Sequence, residues 1–273
     1  MGEMMKLGRV RSIPDKRTLK LANYLSSSQL AVAQAQLPQP PDENFKPEPP
    51  DHVWPMLAND RYPCCTSAAA GHMVHHWTEL NGHEVLLTED DIVNAHLALS
   101  KVSDSQATKD GISMLEALKY WRKTGIGGHK IHSFVQANPM SRRALRSMVY
   151  LFGSAYLGLE LPNFAYPVGP SGPPPTLNQI PWEIPAAAPD ADTAPREANG
   201  HCVAAVGYDQ NYVYVVTWGK FKQMSWQFFE NYTFESYAVL SHDWADGCRK
   251  CPSGFDIHSL EQDLGLVSAR PTQ

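Results

Sequence analysis

Cys65 and His201 are the side chains whose types and surroundings first point to chemistry. Cys65 stands just before a run in which Ala69, Met73, His76, Trp77 and Leu80 recur at helical spacing, and Asn81-Gly82 ends that run. At a helix start the unpaired backbone N–H groups and the macrodipole favour negative charge. A thiol placed there is expected to ionise below its ordinary value of about 8.5 and to act as a thiolate nucleophile. Cys64 is the alternative nucleophile, and the helix register favours Cys65. His201 opens the run Gly200-His201-Cys202-Val203-Ala204-Ala205-Val206-Gly207-Tyr208, and a neutral imidazole there can take the thiol proton. The two lie far apart in sequence, as a Cys–His pair joined only by the fold does.

Two other clusters carry weaker signals. Cys248 and Cys251 form one C-x-x-C without the second pair that a four-ligand zinc site needs, which leaves a disulfide or two free thiols as the plainer reading. His72, His75, His76 and Glu79 crowd one helix, and His72 and His76 share a face. No third ligand accompanies them, so burial within a central helix is expected, with no metal and no cofactor. Trp226, Phe228, Phe229 and Tyr232 read as core.

The elements that must position the pair follow from periodicity. Helices are expected over roughly 66–80, after Thr88 with Glu89, Asp90 and Asp91 in its first turn, from Ser113 to Gly125, and from Ser141 towards Leu151. Strands are expected over 155–161, 202–208, 212–218 and 236–241, with Asp209-Gln210-Asn211 turning a hairpin between the second and third. Helices first and antiparallel strands second is an α+β order. Residues 1–53 read as an N-terminal extension with a helix over 19–37 and a Pro-rich linker over 38–50. The compact domain is expected over 54–245, interrupted by a Pro-rich loop at 162–199 that can be neither helix nor central strand. Residues 246–273 read as a tail with a short helix.

The bulk properties exclude several classes. The chain of 273 residues is 43% hydrophobic and 19% charged, with a formal net charge of −5, so nucleic acid is not an expected partner. The basic residues among the first twenty, Arg9 and Arg11 included, read as a solvated arm. No segment approaches the ~20 apolar residues of a membrane helix, and no secretory signal is evident. Five cysteines without disulfide-scaffold density suggest a reducing compartment, cytoplasmic or virion-associated.

Three blocks in order resemble papain-like cysteine peptidases. Pro63-Cys64-Cys65-Thr66-Ser67-Ala68 resembles the nucleophile block, the His201 run resembles the Gly-His-Ala-Val-x-x-Val-Gly-Tyr block, and Val216-Thr217-Trp218-Gly219 resembles the Asn-Ser-Trp-Gly block. More narrowly, Trp54-Pro55-Met56, Asn59-Asp60-Arg61-Tyr62 and Tyr120-Trp121-Arg122-Lys123-Thr124-Gly125 are similar to uncharacterised papain-like proteins of bacterial and phage genomes. The resemblance implies a helical half led by Cys65 packed on an antiparallel β-sheet half. It implies Cys65 as nucleophile, His201 as base, Asn59 in place of the family's oxyanion-hole Gln, and Trp218 as a shield for the pair. The family's Asn, which orients the imidazole, falls on the apolar Val216, and Thr217 can replace it only if the strand register turns it inward. His201 is therefore expected to lack a carboxamide partner, with weak or absent peptidase activity. The resemblance implies a cysteine hydrolase acting on a peptide or protein substrate. The alternative is a non-catalytic papain-like component of a phage particle or another assembly, whose partners would order 1–53 and 162–199.

Overall fold

The computed structural model describes residues 5–22, 53–102, 111–166, 181–186 and 190–245. Most of the helix expected over 19–37, the linker over 38–50, the C-x-x-C pair and the C-terminal tail lie outside them. So does part of the loop over 162–199.

The helical half is led by α1 (Cys65–Leu80), followed by α2 (Glu89–Val102) and α3 (Met114–Lys123), with α4 (Arg142–Phe152) further along. Short polar side chains set their starts. Thr88 and Asp91 bond reciprocally ahead of α2, and the hydroxyls of Ser113 and Ser141 accept from the N–H groups of Glu116 and Ala144. α1 differs: Cys64 stands at its N-cap and its side chain makes no capping bond to the helix. The helix is buried from Cys65 through Thr78, so it is a central rod and not the amphipathic surface helix that its spacing suggests. Leu80, expected on its apolar face, is exposed instead. Its small residues Ala68, Ala69, Ala70 and Gly71 permit close packing; a Cβ on Gly71 would stand 2.8 Å from Leu57.

The other half is a six-stranded antiparallel sheet in the order β3-β8-β4-β5-β6-β7. Its strands are β3 (Ile131–Gln136), β4 (Ala155–Glu160), β5 (Gly200–Tyr208), β6 (Tyr212–Thr217), β7 (Lys220–Ser225) and β8 (Thr233–Ser241). β4 and β5 are buried on both faces, which explains why their sequences read as continuous apolar runs. Asp209 turns the expected β5–β6 hairpin by accepting from the N–H groups of Asn211 and Tyr212. β3, β7 and the short α6 (Trp226–Tyr232) were not expected from periodicity, since β3 and β7 alternate imperfectly and α6 spans only two turns. Within 162–199, read as loop throughout, the short α5 (Asp190–Thr193) and a 3₁₀ turn (Glu197–Asn199) lead directly into β5.

α1 packs on β5, and the layers are locked by polar bonds from aromatic residues. Tyr156 Oη donates to the Thr66 carbonyl at 2.8 Å, and Trp77 Nε1 donates to the Phe152 carbonyl at 2.8 Å while its ring stacks on Trp121. The first described residues are no solvated arm. Met5, Arg9 and Leu21 are buried, and β1 (Arg9–Val10) pairs in parallel with β2 (Ile112–Ser113).

Candidate active site

β5 delivers His201 to the buried centre of the molecule, and its ring is held on two sides. Nε2 lies 2.6 Å from Thr217 Oγ1, while Trp218 stacks on the ring face at 4.2 Å and 17°. The register explains why Thr217 does this and Val216 does not. Side chains alternate along a strand, so on β6 the two point to opposite faces; Val216 is wholly buried opposite Ala204. Thr217 thus supplies the polar partner that the apolar Val216 cannot, with a hydroxyl in place of a carboxamide. With Thr217 accepting from Nε2–H, the lone pair sits on Nδ1, and Nδ1 has no hydrogen-bond partner.

Trp218 owes its position to a two-residue turn between β6 and β7. Both Trp218 and Gly219 adopt positive φ, 48° and 67°, the geometry of a type I′ hairpin. Asn-Gly fills such turns without strain; a tryptophan does so at a cost of about 1–3 kcal/mol that its neighbours must offset. Tyr166 stacks against it, and Trp182 meets it edge-on.

Cys65 is the first residue of α1, as expected, and the N–H of Cys202, next to His201, faces its sulfur. The expected acidity is absent. Burial pushes the Cys65 thiol up to about 12, against the opposing pull of the Cys202 N–H, the Arg9 guanidinium and the N–H groups of Thr66 and Gly8. Desolvation outweighs the helix terminus because water is excluded from the sulfur. Burial also lowers His201 to about 3, with the neighbouring His72 adding to the effect, so the ring is neutral at ordinary pH. Cys64 is buried too, its thiol facing the Leu57 carbonyl, away from the role of nucleophile.

Asn59 is positioned by an unusual backbone, with Leu57 and Ala58 both at positive φ. Its Nδ2 donates at 3.2 Å to the carbonyls of Lys6 and Tyr62. The Lys6 carbonyl also accepts from Trp218 Nε1 at 3.0 Å. Asn59 Nδ2 and Trp218 Nε1 thus converge on one peptide carbonyl.

That carbonyl belongs to a segment crossing the site from Met5 to Arg11. Tyr166 Oη donates to the Met5 carbonyl, the Lys6 N–H to the Asn59 carbonyl, the Gly8 N–H to the Gly200 carbonyl, and the Ile112 N–H to the Gly8 carbonyl. Gly8 is required here: a Cβ would stand 1.9 Å from the Pro63 carbonyl oxygen. Arg9 then turns its side chain onto the sheet beside Gly158. Its Nη2 meets Glu235 Oε1 at 2.6 Å, and Nη1 lies 3.4 Å from the Leu159 carbonyl and 3.7 Å from Glu160. Sequence reasoning missed this group. The signal was there in Glu160 and Glu235, two acids inside otherwise apolar strands.

The histidines of α1 serve packing. His72 Nε2 lies 2.8 Å from the Pro55 carbonyl, His75 Nε2 lies 3.0 Å from Glu84, and Trp54 packs on all three rings.

No family model matches this sequence, and no curated protein matches it. Solved structures do. The chain is similar to xylellain, a cysteine protease from Xylella fastidiosa, with a TM-score of 0.60 at 12% identity, over 88% of this chain and 97% of that one. The fold is papain-like. Fainter likenesses reach the cysteine protease and lectin-like domains of Cwp84 from Clostridium difficile (TM-score 0.48, 12% identity, 82% and 61% of the two chains) and digestive procathepsin L 3 of Tenebrio molitor (0.47, 10%, 87% and 76%). Among the described residues no helix is long and apolar enough to cross a membrane.

Proposed function

We propose that the chain is a cysteine hydrolase of peptide or amide bonds, with Cys65 as nucleophile, His201 as acid–base, Thr217 orienting the ring, Trp218 shielding it and Asn59 as oxyanion donor. The observation that carries this reading is the hydrogen bond from His201 to Thr217 under the Trp218 ring. It ties down one ring nitrogen and leaves the other, Nδ1, without a partner.

The steps follow from those groups. Nδ1 takes the thiol proton as sulfur attacks the substrate carbonyl carbon, and the carbonyl π electrons move to oxygen, where Asn59 Nδ2 donates. Collapse expels the amine, which takes the proton back from Nδ1, and leaves a thioester on Cys65. Water, deprotonated by the same nitrogen, hydrolyses the thioester and returns the free thiol. The alternative is a non-catalytic papain-like component of a phage particle or other assembly, of the kind suggested by the likeness to uncharacterised bacterial and phage proteins.

Hydrolysis of a mixed peptide library by the native chain and by Cys65→Ala separates the two. Turnover lost with Cys65→Ala supports the hydrolase. No turnover by the native chain after the Met5–Arg11 segment has been displaced ends it.

A further inference from the structure

The region beneath Arg9 is built for a guanidinium. Its floor is the sheet at neighbouring rungs of three strands, where Gly158 on β4 pairs with Cys202 on β5 and with Glu235 on β8. Gly158 makes the room: a Cβ there would stand 2.5 Å from Arg9 Nε and 2.4 Å from Met114 Sδ. The side chains of Arg9 and Glu160 are each only 1% exposed, and that of Glu235 is 9% exposed.

Both acids draw their main partners from the same N-terminal segment. Glu160 is held by Arg9 and bidentately by Arg11 (2.5 and 2.7 Å), while Glu235 accepts from Arg9, from the Ser12 N–H at 3.2 Å and from Tyr237 Oη at 3.1 Å. With the Met5–Arg11 segment gone, two carboxylates on the floor would lose their guanidinium partners and keep only the Ser12 N–H and the Tyr237 hydroxyl as described partners. Such a floor demands a cation. A planar fork reaching two carboxylates and a carbonyl suits arginine better than lysine, whose charge is a single point. The backbone above carries the same message: the segment occupies Asn59 Nδ2, Trp218 Nε1 and the edge of β2, which are donors that a peptide substrate would use.

We propose that the Glu160–Glu235 pocket, on the strand rung next to His201, selects an arginine side chain of the substrate, and that the Met5–Arg11 segment is a displaceable occupant of the cleft that fills this pocket with Arg9. This rests on the reading of Cys65 as the nucleophile. The substrate class is then peptides that place one arginine next to the reacting bond.

The test uses the full chain carrying Cys65→Ala, so that binding is read without turnover. A fluorescein-labelled hexapeptide of alanines with one arginine is titrated by fluorescence polarisation, beside its citrulline counterpart. With Arg9 present, both should bind weakly. With Arg9→Ala added, the arginine peptide should bind at least tenfold tighter than before and tenfold tighter than the citrulline peptide, and Glu235→Gln should abolish that preference. In the chain that keeps Cys65, its alkylation by iodoacetamide gives a second readout: Gly8→Ala, which displaces the segment but keeps every charge, should speed it at least tenfold. If Arg9→Ala does not melt cooperatively, the peptide titration is made on Gly8→Ala instead. Equal affinity for the two peptides, or unchanged alkylation, overturns the proposal. Arginine preference without hydrolysis of any peptide sinks the hydrolase reading and leaves the pocket standing; hydrolysis indifferent to arginine does the reverse.

Discussion

Thr217 offers His201 a hydroxyl where the family pattern has a carboxamide, and under the proposed hydrolase reading that difference has measurable consequences. Thr217→Val keeps the shape but removes the bond to His201 Nε2, worth ~1–1.5 kcal/mol. Peptide hydrolysis should fall roughly tenfold in kcat with KM little changed, and Thr217→Ser should restore it. Val216→Asn, by contrast, should not help, because Val216 faces away from the ring and is wholly buried; it should instead lower the melting temperature. The Cys65 thiol gives a second test. With its pKa raised to about 12, the thiolate fraction of the native chain rises about tenfold per pH unit up to pH 10. Iodoacetamide alkylation of Cys65 should climb over that range without the plateau that an ordinary thiol shows above about 8.5.

At the scale of elements, the turns between helices and strands aim the site. α4 ends at Gly153 with φ 74°, and a Cβ there would stand 2.8 Å from the rings of both Trp77 and Trp244. Gly153→Ala combines left-handed strain with overpacking, so equilibrium urea unfolding should show a loss of about 2–4 kcal/mol. Ser141→Ala, at the start of the same helix, removes only a cap and should cost about 1 kcal/mol. A Gly153 variant no worse than the cap variant would mean that the helix end does not fix the spacing of α1 and β4.

Among the described residues burial lowers three histidines, His201 to about 3, His72 to about 4, and His96 in the same direction. In the unfolded chain all three would titrate near 6.5. Between pH 6.5 and 4 the unfolded state therefore binds protons that the folded state refuses, and stability falls as pH falls. The loss should reach roughly 3 kcal/mol for each of His201 and His72 by pH 4, with little change above pH 7. His72→Gln should flatten that slope, with His201 and His96 carrying the remainder, as measured by urea unfolding across the range.

Much of this architecture was legible before any coordinates. Cys65 at a helix start, His201 on a strand, the helix-then-sheet order and the Asp209 hairpin all follow from local rules: periodicity, caps and turn residues act over a few neighbours, and those neighbours are adjacent in the chain. What stayed hidden depends on contacts between residues far apart. Which of Val216 and Thr217 faces His201 is decided by strand register, and register is set by the sheet as a whole. Trp218 sits in a turn that its own sequence disfavours, and rings and a carbonyl from distant segments hold it there. The basic N-terminal residues read as a solvated arm because charge is ordinarily left in water. Only the fold brings Arg9 to Glu235, 226 positions away, and buries its charge against two carboxylates.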